Sequence, residues 1–342
     1  MKILLGMSGG VDSTFAAYKL LSEGHTVEGA VLKMHEHTEV DSARSAAENI
    51  GVALHEIDCS GLFDSVVKSD FVNEYSIGRT PNPCIICNER VKFKVLYDYA
   101  IENGFDAIAT GHYARVVKCL DGSEERYSVA VAGDAHKDQS YMLYRLSQEI
   151  LSRLYLPLAD MTKDEVRESA RRGKMFASDR KDSQEICFLP DGNHAEYVES
   201  MVGKSMPGEF IDEDGNVLGR HNGIVRYTVG QRKGLGVSLG ERMFVTRIDP
   251  DKNTVTLSPS VRGERTVYIT GVAFSGVGRP SGERTLSVQV KLRYTAPLLS
   301  ATAHISEDGR ARLEFSEPVK AAPGQSAVLY SDGVVLCGGF IC

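Results

Sequence analysis

Three cysteines lie in settings that favour reactivity rather than packing. Cys84 and Cys87 form a Cys-x-x-Cys pair within PNPCIICN (81–88), just before a predicted helix that begins near Asn88 or Glu89. Cys187 follows a hundred residues later in the polar stretch KDSQEICF (181–188). A thiol near a helix N-terminus has a lowered pKa and is more nucleophilic. We therefore expect reactive thiols at this Cys-x-x-Cys pair.

Three interpretations of Cys84, Cys87 and Cys187 compete. A structural zinc site needs four protein ligands, and no fourth candidate is evident. An iron–sulfur cluster with one open iron needs only these three cysteines as ligands. Alternatively, Cys87 and Cys187 form a sulfur-transfer pair, in which one carries a persulfide and the other resolves it as a disulfide. We favour the sulfur-transfer pair.

A second candidate site is the stretch SGGVDST (8–14), between a predicted strand and a predicted helix. Its glycines let backbone amides approach an anion closely, and hydroxyls with a helix N-terminus complete the cradle. Asp12 suits Mg²⁺ beside a polyphosphate, because hard cations prefer carboxylate and phosphate oxygens. The stretch lacks the Gly-Lys-Ser/Thr ending of a Walker loop. It resembles instead the SGGxDS motif of the PP-loop ATP pyrophosphatases, which cleave ATP between the α- and β-phosphates.

These residues need a scaffold that brings them to one edge. KILLG (2–6) predicts a buried strand, and the helix after Asp12 ends at Gly24. Strand and helix patterns then alternate through 27–34, 42–51, 53–58, 88–103 and 106–110. This alternation predicts a doubly wound parallel α/β sheet. Met34 and Gly111 follow two of its strands, at the carboxyl ends where open sheets bind ligands.

The second half of the chain has a different pattern of predicted helices and strands. Thr162 and Glu165 form a capping box that opens a helix, and the helical half extends to about residue 200. Short strands follow, first in FIDEDGNVLG (210–219) around an Asp-Gly-Asn turn and later in an alternating all-β stretch that suggests a barrel or sandwich. We expect three domains: an α/β catalytic domain (1–200), a small β-rich central domain (203–262) and a C-terminal β-barrel (265–342).

Composition narrows the class of protein. Of 342 residues, 42% are apolar and 25% charged, which excludes a disordered or fibrous chain. No apolar run reaches the roughly 18–20 residues of a membrane span, so we expect a cytoplasmic protein with no membrane partner. Seven cysteines in such a protein favour free or catalytic thiols over structural disulfides. The net charge is -7, yet residues 220–247 carry six basic residues against Glu241 alone and could face phosphates.

Eight motifs, in order along the chain, resemble those of the tRNA-specific 2-thiouridylases of the MnmA family. The motifs are GMSGGVDS (6–13), GRTPNPCIICN (78–88), ATGHYAR (109–115), KDQSYML (137–143), KDSQEICF (181–188), YTVGQRKGLGV (227–237), VKLRY (290–294) and PGQ (323–325). The resemblance covers essentially the full length.

The resemblance implies an ATP site and a pair of catalytic cysteines. The residues expected to bind ATP are Gly6, Met7, Ser8, Gly9, Gly10, Val11, Asp12, Ser13, Met34 and Gly111. In such an enzyme the C2 oxygen of the tRNA wobble uridine attacks the α-phosphate, and pyrophosphate leaves. A persulfide on Cys187 then attacks C2, AMP leaves, and Cys87 acts as the second catalytic thiol. A carbonyl oxygen is a poor leaving group until it is adenylated, whereas a persulfide is a strong nucleophile at neutral pH.

The resemblance also implies contacts with the anticodon stem-loop of tRNA. Asn82, Pro83 and Cys84 are expected beside the target base, which we expect to be flipped out of its stack. The residues expected to contact tRNA elsewhere are His112, Lys137, Asp138, Gln139, Arg293, Tyr294 and Gln325. Basic side chains suit phosphates, and aromatic rings stack on unpaired bases. A persulfide-carrying donor, such as a cysteine desulfurase or a relay protein, is expected to supply sulfur.

One departure from the family affects the chemistry. Some members have Asp where this chain has Cys84, so no acid–base or metal-binding role of that Asp transfers to this chain. The third cysteine also makes a cluster of Cys84, Cys87 and Cys187 more plausible here than in an Asp-bearing relative. Two rival classes share parts of the sequence. An amide-forming synthetase would use residues 6–13 without the cysteines, and a non-catalytic RNA-binding protein would use neither.

Overall fold

A parallel sheet forms the first half of the protein. A computed structural model describes residues 1–172, 186–189, 192–237 and 240–342; residues 181–185 of the motif around Cys187 lie outside them. The strands of the sheet are β1 (Lys2–Gly6), β2 (Thr26–Lys33), β3 (Leu54–Asp58), β4 (Ala107–Thr110) and β7 (Leu154–Tyr155). They lie in the order β3-β2-β1-β4-β7, and every pairing is parallel. The predicted doubly wound α/β sheet is confirmed.

Helices connect these strands and continue beyond them. They are α1 (Val11–Ser22), α2 (Val40–Ile50), α3 (Ser60–Phe63), α4 (Ser69–Ser76), α5 (Pro83–Cys87), α6 (Phe93–Glu102), α7 (Gln148–Ser152), α8 (Lys163–Arg172) and α9 (His194–Val202). The predicted capping box opens α8: Thr162 N–H donates to Glu165 Oε2 at 2.7 Å, and Glu165 N–H donates to Thr162 Oγ1 at 3.2 Å. Two orphan donors of the first turn are thereby satisfied.

The strand order sets the place where a ligand can bind. From β1 the chain proceeds outward to β2 and β3, and it then returns to the other side of β1 as β4. The strand order therefore reverses between β1 and β4, and the crevice at the carboxyl ends of these strands is the usual binding position in open α/β sheets. Gly6 and Thr110, the last residues of β1 and β4, lie side by side at this point.

Two helical segments contain a π-helical turn. α3 continues into α4 through Asp64–Lys68, and α5 continues into α6 through Asn88–Lys92. In the second segment the N–H of Phe93 donates to the carbonyl of Asn88, five residues earlier. Such widened turns occur frequently at functional sites. This one begins directly after Cys87.

A small four-stranded sheet follows the helical half. Its strands are β8 (Gly208–Ile211), β9 (Val217–His221), β10 (Phe244–Asp249) and β11 (Thr254–Ser258), in the order β10-β11-β8-β9. Asp212 closes the predicted turn, because its Oδ1 accepts the N–H groups of Asp214 and Asn216. Phe210 and Val245 belong to the same apolar cluster as Phe71 of α4 and Val198 of α9. The sheet therefore packs on these helices.

The last part of the chain is a closed six-stranded antiparallel barrel. Its strands are β12 (Glu264–Phe274), β13 (Arg284–Lys291), β14 (Leu299–Ile305), β15 (Ala311–Val319), β16 (Ser326–Ser331) and β17 (Val334–Ile341). Pairing of β12 with both β15 and β17 closes the barrel. Of the two predicted alternatives, barrel and sandwich, the barrel is confirmed.

A hairpin not predicted from the sequence links the first sheet to the barrel. It consists of β5 (Arg115–Asp121) and β6 (Glu124–Ala130), and Ala130 of β6 pairs with Val334 of β17. Arg284 of β13 donates to both carboxylate oxygens of Asp121, at 2.9 and 2.7 Å. This guanidinium lowers the pKa of Asp121 to about 2. The hairpin fixes how the barrel lies against the α/β sheet.

Within the described ranges, none of the helices has both the length and the apolar character that a membrane crossing requires.

Candidate active site

The loop after β1 presents free backbone donors at the N-terminus of α1. Gly10 is the N-cap residue of α1, and no side chain caps this end within the described residues. The loop is shaped by its own hydroxyls: Ser13 Oγ accepts the N–H of Ser8 at 3.2 Å, and Thr14 Oγ1 donates to the carbonyl of Gly10 at 2.9 Å. Uncapped first-turn amides and the helix dipole favour an anion. The loop therefore fits the polyphosphate of a nucleotide.

Gly111 lets the end of β4 approach this loop closely. A Cβ at this position would lie 2.9 Å from the carbonyl carbon of Asp12 and 3.0 Å from the amide nitrogen of Ser13. Met7, which precedes the loop, is buried against Gly29 of β2. The residues predicted to bind ATP are thus brought together at the crevice between β1 and β4, with Met34 following β2 on the other side of β1.

Asp12 is held by two side chains from distant parts of the chain. The hydroxyl of Tyr113 donates to Oδ1 at 2.7 Å, and the ammonium group of Lys163 donates to Oδ2 at 2.6 Å. Lys163 is buried, with 5% of its surface exposed. Neither Tyr113 nor Lys163 was predicted as a site residue. The capping box indicated where α8 begins, but nothing in the sequence pattern indicated that its first residue reaches the loop.

Met34, which is predicted to bind ATP, lies beside a thiol of the Cys-x-x-Cys pair. The Sγ of Cys87 lies 3.8 Å from the Sδ of Met34, which directly follows β2. Cys87 is buried at the end of α5, whereas Cys84 is exposed. The amide of Cys84 is capped by Oδ1 of Asn82 at 3.2 Å, and Pro83 occupies the first helical position. The predicted ATP site and the Cys-x-x-Cys pair therefore share one edge of the sheet.

The expected lowering of the thiol pKa values is wrong. Surrounding protein atoms desolvate both sulfur atoms, although Cys84 is an exposed residue, and this desolvation raises the pKa of both thiols. The positive charge of Lys92 opposes this rise at both thiols. Lys92 ends the π-helical turn after Cys87, and its backbone N–H is in hydrogen-bonding reach of the Cys87 sulfur. Lys92 was not predicted as a neighbour of Cys87. In an ordinary α-helix, a residue five positions later lies about 140° around the helix axis and so points away from the first residue.

Cys187 is exposed and is anchored by its neighbour Phe188. The Phe188 ring packs edge-on against Phe63 and Phe71, with centroid distances of 5.6 and 5.3 Å, and also contacts Tyr197 at 5.4 Å. Although Cys187 is an exposed residue, protein atoms around its sulfur desolvate the thiolate and, with smaller contributions from Cys87 and Cys84, raise the pKa of the thiol to about 11. The three thiols are therefore close enough to influence one another, and Cys187 itself is protonated at neutral pH.

The three cysteines are free thiols, and no described group of three or more His, Cys, Asp or Glu side chains is arranged to hold a metal ion. Neither the zinc interpretation nor the cluster interpretation gains support from this geometry.

Two of the residues predicted to contact tRNA, Asp138 and Gln139, use their side chains inside the protein. The carboxylate of Asp138 is buried and accepts the N–H groups of Ala132 and Ser140, both at 3.1 Å. Oε1 of Gln139 accepts the N–H of Tyr113 at 2.9 Å. These contacts shape the loop that carries Lys137.

Gln325 acts across the boundary between the barrel and the α/β sheet. Its side-chain amide donates to the carbonyl of Thr80 at 2.7 Å, and Thr80 N–H donates to the carbonyl of Pro323 at 2.9 Å. The PGQ turn thereby holds the segment that leads into Asn82. Arg293 is exposed at the end of β13, and Tyr294 is half-buried, with its ring 6.1 Å from that of Tyr141.

His112 carries no charge at neutral pH. Burial and the nearby charge of Lys92 lower its pKa to about 3. Thr110 Oγ1 lies 2.8 Å from Nδ1 of His112, and the imidazole packs on the Phe93 ring at 5.4 Å. A neutral imidazole can stack or share a hydrogen bond but cannot form an ion pair with a phosphate. Of the two predicted kinds of tRNA contact, stacking is the one that suits His112.

Two further residues beside Cys87 were missed. Asn88 is buried, its side-chain amide donates to the carbonyl of Met142 at 3.1 Å, and its Oδ1 has no hydrogen-bond partner within the described residues. The side-chain amide of Asn82 also donates to Sδ of Met142, at 3.5 Å. A single methionine thus links the residues on both sides of the Cys-x-x-Cys pair.

The fold and the site define an α/β protein in which a loop suited to an anion and a Cys-x-x-Cys pair lie at the same edge of a parallel sheet. Comparison with known families agrees. The model described as the tRNA methyl transferase HUP domain matches residues 1–191, the tRNA methyl transferase PRC-barrel domain matches 195–259, and the aminomethyltransferase beta-barrel domain matches 265–341.

Relatives of known name match over the whole length. The tRNA-specific 2-thiouridylase MnmA of Acetivibrio thermocellus is 39% identical, over 99% of each chain. The protein of the same name from Clostridium perfringens is 40% identical over 99% of this chain and 98% of its own. Among solved structures, a 4-thiouridine synthetase–RNA complex with bound ATP shares 18% identity at a TM-score of 0.36, over 59% of this chain and 50% of that one, a likeness too small to add anything.

The chain belongs to the family of the tRNA-specific 2-thiouridylases MnmA. The family predicted from the eight sequence motifs is therefore confirmed. Neither rival class, amide-forming synthetase or non-catalytic RNA-binding protein, accounts for a match of this length.

Proposed function

We propose that this chain is a tRNA 2-thiouridylase, an ATP-dependent sulfurtransferase that converts the wobble uridine of tRNA into 2-thiouridine. The observation that carries the proposal is the contact between Met34 and Cys87, 3.8 Å between their sulfur atoms. It places the Cys87 thiol beside a residue that follows β2, at the same edge of the sheet as the loop suited to a polyphosphate, so that adenylation and sulfur transfer can occur at one base. Family membership supplies independent support.

The proposed reaction has two chemical steps. The C2 oxygen of the uridine attacks the α-phosphorus of ATP, the bond to the β-phosphate breaks, and pyrophosphate leaves. The terminal sulfur of a persulfide on Cys187 then attacks C2, and AMP departs with the former uridine oxygen. Cys87 as thiolate attacks the Sγ of Cys187, which forms a Cys87–Cys187 disulfide and releases the base as the thione. External reductant returns the two thiols.

The raised pKa of Cys187 gives a reason for the persulfide. A thiol with a pKa of about 11 is almost entirely protonated at neutral pH and is a weak nucleophile. A persulfide remains strongly nucleophilic under these conditions, and Cys187 is exposed, so a donor protein can reach it. We propose a persulfide-carrying donor, such as a cysteine desulfurase or a relay protein, as the partner that loads Cys187.

The substrate and cofactor follow from the same site. We propose that the first-turn amides of α1 hold the polyphosphate and that Asp12 holds Mg²⁺, which neutralises phosphate charge when bound. The anticodon stem-loop is proposed to lie between Asn82, His112 and the exposed Arg293, with the wobble base flipped towards Cys84. We propose that the reaction takes place in the cytoplasm.

The direct test is formation of 2-thiouridine by purified protein whose iron content has been measured. Unmodified tRNA, ATP, Mg²⁺ and a persulfide donor are supplied, and digested nucleosides are analysed by mass spectrometry. We expect one AMP and one pyrophosphate per 2-thiouridine in iron-free protein, and no product from tRNA with cytidine at the wobble position. Absence of product under all conditions would contradict the proposed function. Product that scales with iron content would favour a cluster on Cys84, Cys87 and Cys187 instead.

Phe188→Ala tests the anchoring of Cys187. We expect 2-thiouridine formation to fall by about 10- to 100-fold while pyrophosphate release continues, because a nucleophile displaced by about 1 Å loses this much rate. The matched control is Phe315→Ala, which removes an equally buried ring from the barrel. It should lower the free energy of unfolding by a similar amount, about 3 kcal/mol, without separating the two steps. Equal loss of both steps in Phe188→Ala would contradict the anchoring role.

A further inference from the structure

A buried lysine occupies the edge of the phosphate-binding loop. Lys163, the first residue of α8, is 5% exposed, and its ammonium group lies 2.6 Å from Oδ2 of Asp12 in the first turn of α1. Its backbone N–H donates to Oδ2 of Asp134 at 3.1 Å, which fixes the start of the helix. The second oxygen of Asp12 accepts the Tyr113 hydroxyl at 2.7 Å.

Stability alone gives a weak reason for a charge in this position. A buried ion pair seldom stabilises a protein more than apolar residues of similar volume, because both charges lose their hydration. The pair of Asp12 and Lys163 lies beside the loop after β1, at the carboxyl end of the sheet, rather than within the apolar core. A buried charged pair that costs stability, in a position where open sheets bind ligands, indicates that the charges serve a ligand.

The loop itself contains no basic side chain to balance the negative charge of a polyphosphate. Residues 8–14 contain Asp12 and no basic residue. In Walker loops a lysine within the motif contacts the β- and γ-phosphates as a point charge. Here α8 places an ammonium group at the loop from a position 151 residues further along the chain.

We propose that Lys163 binds the β- and γ-phosphates of ATP, and then the departing pyrophosphate, and that Asp12 holds this ammonium in place until the nucleotide arrives. The inference rests on the proposed function and extends it to a residue of α8. On binding, Lys163 exchanges the single charge of Asp12 for the higher charge of the polyphosphate. Asp12 is thereby released for the Mg²⁺ that accompanies the nucleotide. As pyrophosphate leaves, negative charge grows on the β-phosphate oxygens, and Lys163 is the side chain positioned to stabilise it.

The test measures binding by calorimetry, without tRNA and without turnover. Pyrophosphate with Mg²⁺, ATP with Mg²⁺, and adenosine are titrated separately into wild type, Lys163→Met and Lys163→Arg. We expect Lys163→Met to weaken pyrophosphate and ATP binding by about 10- to 100-fold and to leave adenosine binding within about twofold. Lys163→Arg keeps the charge and should lose less. The control is Lys19→Met, which removes a lysine paired with Glu23 at the far end of α1 and should change none of the three affinities.

Two outcomes would overturn the proposal: unchanged pyrophosphate affinity in Lys163→Met, or an equal loss of adenosine and pyrophosphate affinity, which would indicate general damage to the site. If Lys163→Met does not fold because Asp12 is left unpaired, Asp12→Asn/Lys163→Met is compared with Asp12→Asn alone, and the same loss of pyrophosphate affinity is expected. Because no step depends on thiolation, the result is independent of whether the chain makes 2-thiouridine.

Discussion

Replacement of Cys187 by Ser is expected to abolish 2-thiouridine formation while adenylation of tRNA continues. Without the Cys187 sulfur no persulfide forms at the site, so the adenylated uridine has no sulfur nucleophile. The loss should be at least about 1000-fold, since removal of a covalent nucleophile has effects of this size or larger. Pyrophosphate release in a single turnover should stay close to that of wild type, because Cys187 takes no part in the proposed adenylation step. Quench-flow measurement of pyrophosphate and mass spectrometry of nucleosides separate the two steps.

Replacement of Cys87 by Ser should stop the reaction one step later. The persulfide on Cys187 can still attack C2, but the disulfide between Cys187 and the base is not resolved. We expect a covalent protein–tRNA adduct that dithiothreitol cleaves, and its amount should approach one per active site. Cys84→Ser is expected to reduce the rate without trapping an adduct. Cys342→Ser removes another exposed thiol, at the end of the chain, and should change nothing.

The two cysteine variants therefore distinguish a persulfide pair from a cluster. Equal losses in Cys84→Ser, Cys87→Ser and Cys187→Ser, with no adduct in any of them, would contradict the assigned roles. Near wild-type thiolation in Cys87→Ser or Cys187→Ser would contradict them as well.

The second large effect is expected at Gly9. Its φ is +75°, and a Cβ there would lie 2.4 Å from the carbonyl carbon of Ser42 and 2.6 Å from its oxygen. Gly9→Ala must therefore displace the loop or α2, in addition to the strain of a left-handed residue of about 1 kcal/mol. We expect ATP affinity to fall at least about 100-fold, since the amides at the N-terminus of α1 lose their alignment. Calorimetric titration of ATP with Mg²⁺ measures this loss.

Gly24→Ala is the matched control for Gly9→Ala. Gly24 follows the other end of α1, has a φ of +85°, and a Cβ there would meet no atom within 4 Å. The two substitutions therefore share the backbone strain and differ in the steric conflict. Gly24→Ala should lower the melting temperature slightly and leave ATP binding intact. Equal ATP affinity in the two variants would contradict the geometry of the loop.

The parts of the site that could be predicted from the sequence are local or follow from strand order. The glycine loop lies between β1 and α1, and an alternation of strands and helices dictates that residues after strands meet at one edge. Met34 and Gly111 were predicted on this basis, and the structure places both beside the loop or the thiols. The parallel, doubly wound character of the sheet likewise follows from the alternation, whereas the order of its strands does not.

The contacts that could not be predicted join elements far apart in the chain. Lys163 reaches Asp12 only because α8 packs beside α1, and periodicity does not specify how one helix is placed against another. The thiol pKa values were wrong because the helix terminus was considered without burial, and burial dominates for a thiolate. The π-helical turn that ends at Lys92 contains one residue more than a turn of α-helix. A sequence pattern based on 3.6 residues per turn does not reveal this extra residue.

The hairpin of β5 and β6 could have been predicted from the residues of its turn. Gly122 and Ser123 separate the two strands, and a two-residue loop that begins with glycine is an indication of a hairpin. Its pairing with the barrel could still not be inferred, since Ala130 and Val334 are about two hundred residues apart. The PGQ motif is similar: the docking of Gln325 on Thr80 depends on how that hairpin orients the barrel.

In the proposed reaction, the C2 oxygen of the wobble uridine is adenylated before sulfur replaces it. The measurement that tests it most directly follows this oxygen. An anticodon stem-loop that carries ¹⁸O at C2 of the wobble uridine is incubated with the protein, ATP, Mg²⁺ and a persulfide donor, and the AMP and pyrophosphate are examined by mass spectrometry. We expect one ¹⁸O in the phosphate of each AMP and none in pyrophosphate. Thiolated product with unlabelled AMP would contradict it, because the oxygen would then have left the base by another route.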